Sequence, residues 1–219
     1  MTSDLGLRER KKRETRQMIS DIATGLFAVR GFDNVTVAEV ARAANVSTKT
    51  VFNYFPRKED LFLDRLADLL RSVEQAVRER PAGSSAIAAL RDLVLAMLAE
   101  QHPLSGYANR GYTAFWRVIV GSPALQARVR EFAQELEELM ANLIAEADGS
   151  EPHAPATRFA AASAVAAYRT VLLAAATRIM RGADPDAVVA ELDADYRRAF
   201  DAAEQAAASL APRARGRGR

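Results

Sequence analysis

Apolar residues recur three and four positions apart along nearly the whole chain, and no stretch sustains the period-two alternation of a half-buried strand. The pattern predicts an all-helical protein of about nine helices. Met18, Ile22, Leu26 and Val29 mark an apolar stripe on a first helix over residues 9–30, which ends before Gly31. Thr36 and Glu39 have capping-box spacing and open a second helix in which Val37, Val40, Ala41 and Ala44 share a face. Ser47 can cap a third helix, about 48–55, which Pro56 stops; Val51, Phe52 and Phe55 form its expected apolar side. Glu59 and Asp60 suit the positive end of a fourth helix running toward Arg80, with Leu61, Leu63, Leu66, Leu69 and Leu70 supplying its apolar faces. Five more helices are expected, over about 85–101, 107–121, 123–148, 154–181 and 185–209, divided by breaks rich in Pro, Gly and Ser.

The 219-residue length allows one large or two small domains, and the 49% hydrophobic content suffices for a sizeable core. Without cysteine there can be no disulfide or thiolate metal site, which fits a reducing compartment. Residues 1–16 are charged and lack the apolar run of a signal peptide. The most apolar segment, 159–180, is interrupted by Arg169 and Arg178, so no membrane span is expected and a cytoplasmic location is the default.

A net charge of +2 conceals a strong asymmetry. Residues 1–58 carry 11 Lys+Arg against 6 Asp+Glu, and residues 59–211 carry 15 against 22. The last eight residues add four Arg and no acid; that tail, Arg/Gly-rich from Pro212, is expected to be disordered. All four lysines, Lys11, Lys12, Lys49 and Lys58, lie in the first segment. A basic N-terminal module on an acidic body is the distribution that attraction to a phosphate backbone requires.

Two short capped helices joined by a tight turn, the second polar and stopped by proline, are how a chain presents a helix to the major groove of DNA. Ser47, Thr48, Lys49, Thr50, Asn53 and Tyr54 lie on or near the outward side of the third helix, where they can meet phosphates, base edges or a thymine methyl. Lys58, after the proline, is placed for a phosphate.

Residues 15–62 resemble the N-terminal domain of the tetracycline-repressor (TetR) family of bacterial regulators. The resemblance rests on Phe27, Gly31-Phe32, Thr36-Val37-x-x-Val40-Ala41, Ala44-Asn45-Val46-Ser47, Thr50-Val51-Phe52-Asn53-Tyr54-Phe55 and Lys58-Glu59-Asp60-Leu61. It implies an N-terminal helix-turn-helix domain (1–57), a helical ligand-binding and dimerisation domain (58–211) and a basic tail (212–219). It also implies a homodimer that represses transcription and is released from DNA by a small ligand. Thr36, Thr50, Tyr54 and Lys58 match the family's phosphate-contacting positions, and Ser47, Thr48, Lys49 and Asn53 match positions near base edges. Two residues depart from the pattern. Phe52 stands where tyrosine is common, which suggests packing instead of a phenolic phosphate contact, and Asn45 replaces the turn glycine but tolerates the left-handed conformation.

In the body, the 154–181 helix is apolar almost all round and needs partners on several sides, either within a monomer or in the dimer that the resemblance implies. Tyr107, Tyr112, Phe115 and Trp116 fall on one expected helix and suit either a core or a pocket for an apolar or aromatic ligand. Tyr168 and Arg169 join the candidate ligand residues; Arg169 could pair with an anionic ligand or with an acid from a neighbouring helix. His102 and His153 lack metal-ligand spacing, and no phosphate-binding glycine loop or nucleophile elbow occurs. The sequence thus reads as a non-enzymatic regulator without cofactor or metal, whose partners are a pseudo-palindromic duplex DNA operator, a small effector and a second copy. Its rivals are a regulator without an effector and a helical module or enzyme with an incidentally basic head.

Overall fold

The computed structural model describes residues 6–108 and 111–210; the basic tail lies outside them. Among the described residues there are nine α-helices and no strand. They are α1 (Leu7–Arg30), α2 (Val37–Ala43), α3 (Thr48–Tyr54), α4 (Leu66–Arg78), α5 (Ala86–Ala99), α6 (Tyr112–Val120), α7 (Pro123–Asp148), α8 (Pro155–Met180) and α9 (Pro185–Leu210). Each of the last three starts at a proline, whose fixed φ and missing N–H suit a first helical position. The chain forms two compact units, neither of them continuous in sequence. The head takes in the chain up to Ala67 together with Ala114–Val129; the body takes in Asp68–Thr113 and the chain from Arg130 onward.

In the head, α1 buries Ile19, Ser20, Ala23 and Phe27, while Met18 is 40% and Val29 85% exposed. The buried face is therefore rotated from the stripe that periodicity suggested. Polar anchoring sets the rotation: the Ser20 hydroxyl bonds the Leu61 carbonyl and Asp64, and Arg16 donates to the carbonyls of Tyr54 and Asp64. Those anchors also explain why the expected fourth helix does not start at Glu59. A 3-10 turn, Glu59–Leu61, comes first, and α4 begins only at Leu66, because the intervening carbonyls face α1 side chains instead of a helical ladder.

The head's core is a run of rings. Phe27 meets Phe32 at 4.9 Å and Phe62 edge-on at 5.9 Å; Phe62 stacks on Phe115 of α6 at 4.9 Å, and Phe115 meets Trp116 edge-on. Two polar links accompany it. Ser122, at the start of α7, donates to Asp33 at 2.9 Å, and Arg128 pairs with Asp60 at 3.2 Å.

In the body, α8 packs chiefly on α9, with α5 against both. Ala161, Ala164, Val165, Val171 and Ala175 of α8 are buried, as are Val188, Leu192, Phe200 and Ala203 of α9. Although α8 is long and apolar enough to cross a membrane by length and composition, it exposes Arg169 and Arg178 and turns its buried face, Ala161 to Ala175, into the bundle. Two tyrosines fix the loop after α5: Tyr168 of α8 donates to the Leu104 carbonyl at 2.7 Å, and Tyr196 of α9 donates to that of Ser105 at 2.9 Å. Gly106 follows at φ 85, a left-handed conformation that a side chain would strain.

The rotated α1 face makes a direct prediction. Phe27→Ala should cost about 3–5 kcal/mol in urea unfolding, whereas Val29→Ala should stay within about 0.5 kcal/mol of wild type.

Candidate nucleic-acid interface

The turn between α2 and α3 is shaped by Asn45 at φ 53, the left-handed conformation expected of it in place of glycine. Val46 N–H bonds the Ala41 carbonyl at 2.9 Å and Asn45 N–H bonds that of Arg42 at 3.2 Å, so the end of α2 is satisfied before the chain turns. Upstream, Gly31 at φ 80 and ψ 151 occupies a region open essentially to glycine alone, which lets α1 end abruptly.

In the seven-residue α3 Val51 is buried, as is Phe55, the residue that caps its C-terminal end. Thr48, Lys49, Phe52 and Asn53 are exposed on the other side, with Ser47 exposed at the cap and Thr50 and Tyr54 half-buried. Phe52 therefore does not pack in the core as its apolar character suggested; it is 47% exposed. A step of about 100° along the helix carries it away from the Val51–Phe55 face. An exposed phenyl among Thr48, Lys49 and Asn53 is a candidate for apolar contact with a thymine methyl. The i, i+4 pairing of Val51 with Phe55 was the signal in the sequence that could have placed it there.

Several candidate phosphate donors are already engaged. Thr36 caps α2: its hydroxyl oxygen accepts from Glu39 N–H at 3.2 Å and donates to the Glu39 carboxylate at 2.8 Å, which also accepts from Thr36 N–H. Ser47 and Thr50 share a proton between their hydroxyls at 2.8 Å while Ser47 accepts from Thr50 N–H. Two hydroxyls carry two protons, so one remains for an outside acceptor. Tyr54 offers its carbonyl to Arg16, whose guanidinium lies over the Phe55 ring at 4.3 Å. Lys58 donates to the Phe32 carbonyl at 2.7 Å and sits 4.1 Å from the Phe32 ring centroid. Burial there pulls its pKa below the ordinary lysine value, against the opposing fields of Asp33, Glu59 and Glu39. Lys58 thus braces the corner between α1 and α2 as well as carrying charge.

The expected ligand residues are divided between the two units. Phe115 and Trp116 belong to the head's ring core. Tyr107 precedes α6 in a loop and is half-buried, so it does not share the helix expected over 107–121. Tyr112 and Tyr168 are buried in the body, where Tyr168 stacks on Tyr196. Burial pushes the Tyr168 and Tyr196 hydroxyls well above their ordinary pKa, with Tyr112 reinforcing the shift at each. Arg169 is exposed, on the side of α8 that also exposes Ala166, Thr170 and Leu173, and is not brought to the tyrosines. Among the described residues no cluster of metal-ligating side chains occurs.

Residues 19–64 match the family model described as bacterial regulatory proteins, tetR family. The chain is 31% identical over 164 residues to the HTH-type transcriptional regulator BetI of Burkholderia mallei, covering 74% of this chain and 80% of that one. It belongs to the tetR family. A second relative of this tetR-family chain is the HTH-type transcriptional regulator TcmR of Streptomyces glaucescens, 30% identical over 146 residues. That match spans 66% of this chain and 65% of TcmR, just under two thirds of the relative's length. The fold is shared with FadR of Bacillus subtilis, a transcriptional regulator solved in complex with stearoyl-CoA. The TM-score is 0.51 at 17% identity, with 84% of this chain and 97% of that chain covered.

Glu39 gives the head a defined acid response. Bonds from Thr36 and then Arg30 lower its pKa from 4.5 to about 2. A carboxylate depressed on folding contributes stability that is complete above pH 4.5 and lost as pH falls toward 2. Thermal melts of wild type and Glu39→Gln should therefore differ most near pH 6 and converge progressively below pH 4.5.

Proposed function

We propose that the protein is a cytoplasmic homodimeric repressor that reads a pseudo-palindromic operator with α3 and leaves it when a small apolar or aromatic effector occupies the body. The observation that carries the reading is the outward face of α3. Thr48, Lys49, Phe52 and Asn53 are exposed together on a helix whose other side is locked by Val51 and Phe55. An exposed quartet of amide, cation, hydroxyl and phenyl supplies base-edge and thymine-methyl contacts. Ser47, Thr50, Tyr54 and Lys58 serve the sugar-phosphate backbone, and Thr36 acts through its cap. Phosphate contacts set register and Asn53, Lys49 and Phe52 set sequence.

Tyr107, Tyr112 and Tyr168 are the proposed effector contacts, since all three lie in the body and combine ring faces with hydroxyls. Phe115 and Trp116 support the reading head instead. The exposed side of α8, with Phe159 at 40%, Leu173 at 37% and Arg169 between them, is the proposed face for a second copy. An effector that favours a dimer with wrongly spaced heads needs a coupling of roughly 1–3 kcal/mol to weaken operator binding about 5–150-fold.

Binding to the DNA upstream of the protein's own gene, against random duplex and across salt concentrations, tests the reading. Specific, salt-dependent binding is expected. Asn53→Ala should cost about 1–3 kcal/mol on the specific site alone, and Lys49→Ala should act through base preference more than through salt slope. Absence of binding to any duplex at low salt by the folded protein would overturn the proposal. Separately, Leu173→Asp should shift the protein from dimer to monomer in light scattering, with the helical content unchanged.

A further inference from the structure

The first turns of α1 do more than the head's core requires. Every residue from Arg8 to Glu14 is exposed, and the next buried residue along α1 is Ile19. This exposed stretch holds Arg8, Arg10, Lys11, Lys12 and Arg13 against Glu9 and Glu14, with Arg10 paired to Glu14 at 3.8 Å. A helical stretch without buried side chains gains little from packing and has chiefly its charge to offer.

Its position relative to the reading helix is fixed by Arg16. That side chain bonds the carbonyl of Tyr54, the last residue of α3, and covers the Phe55 ring. Lys12 and Arg13 lie one turn before Arg16 on the same face of α1, and Arg8 lies two turns before it. Glu9 shares that stripe and reduces its charge by one. From residue 7 to Arg16 the helix extends about 13 Å at 1.5 Å per residue. The basic stripe thus starts at the C-terminal end of α3 and runs outward from it.

We propose that Arg8, Lys12 and Arg13 form a second DNA contact, a helical arm that lies on the phosphates flanking the base pairs read by α3. The proposal rests on the DNA-reading function above. A helix seated in a groove about 12 Å wide has sugar-phosphate backbone beyond its ends. Over 13 Å along the duplex, about four phosphates of one strand are within range at 3.4 Å each. The arm carries no amide or hydroxyl aimed at base edges, so it adds affinity and register without sequence preference.

The test is the triple variant Arg8→Gln/Lys12→Gln/Arg13→Gln in the full chain, compared with Arg71→Gln/Arg130→Gln/Arg197→Gln, which removes the same charge from exposed body positions. Titrations use the upstream fragment and random duplex over a salt series, with hydroxyl-radical footprinting. The arm variant should lower the salt slope by up to roughly 2.7 per protomer, since each lost contact removes about 0.9. Affinity for both duplexes should fall at least about tenfold at moderate salt, with their ratio unchanged. Backbone protection at the outer flanks should disappear while protection at the centre of each half-site remains.

Wild type and arm variant with equal slopes and equal footprints would overturn the arm and leave the reading by α3 intact. Equal losses in the arm and body variants, with unaltered flank protection, would also overturn it, as an effect of net charge. Loss of binding to phosphatidylserine vesicles in the arm variant, with DNA binding unchanged, would overturn it in favour of a membrane surface. Failure of wild type to bind either duplex would overturn the arm and the DNA-reading function together.

Discussion

Rings from four segments meet in the head: Phe27 in α1, Phe32 at the corner after it, Phe62 beyond the 3-10 turn and Phe115 in α6. The rest of the head depends on this run. A three-helix module of this size buries too small a share of its surface to be firmly stable by itself. The α6–α7 corner supplies the missing apolar face through Phe115 and Trp116 and adds the Ser122–Asp33 and Arg128–Asp60 links. Each aromatic pair adds about 0.5–1.5 kcal/mol beyond its buried area, which is substantial for so small a core. Orientation of α3 follows, because Val51 and Phe55 can seat only on a core already in place.

The polar groups around α3 divide their work. Thr36, Glu39, Arg30 and Lys58 spend their bonds on shaping the corner between α1 and α2. Ser47 and Thr50 do both, one hydroxyl proton being committed and one left over. Lys49, Phe52 and Asn53 are left for an outside partner. On the proposed DNA-reading function, such division makes this face rigid before DNA arrives, so less ordering entropy opposes binding.

Helix number, order and the caps of α2 and α3 were legible in the sequence, because Thr36-x-x-Glu39 and Ser47 act through neighbours a few residues away and breaks rich in Pro, Gly and Ser separate the helices. The left-handed Asn45 was legible for the same reason. Rotation of α1 was not: Met18-Ile22-Leu26-Val29 and Ile19-Ala23-Phe27 both run at helical spacing, and the choice between them is made by Arg16 and Ser20 reaching residues 54–64. The break before α4 has the same origin. Phe52 was misplaced because its apolar character was weighed above its angle on the helix. The aromatic run of α6 could not be divided from sequence at all, since spacing does not say that Phe115 stacks on Phe62 while Tyr112 stays with Tyr168.

The discontinuous head also has a history in time. During synthesis Phe62 leaves the ribosome about fifty residues ahead of the ring that stacks on it, roughly 3–10 s at ordinary elongation rates. Throughout that interval the nascent helix-turn-helix carries an uncovered aromatic face and lacks both polar links to α7. A chain whose translation stalls between α4 and α6 would therefore expose a sticky, half-built head to chaperones and proteases, and not release a finished one. The late return of the α6–α7 corner makes completion of the head contingent on more than half of the polypeptide having been made.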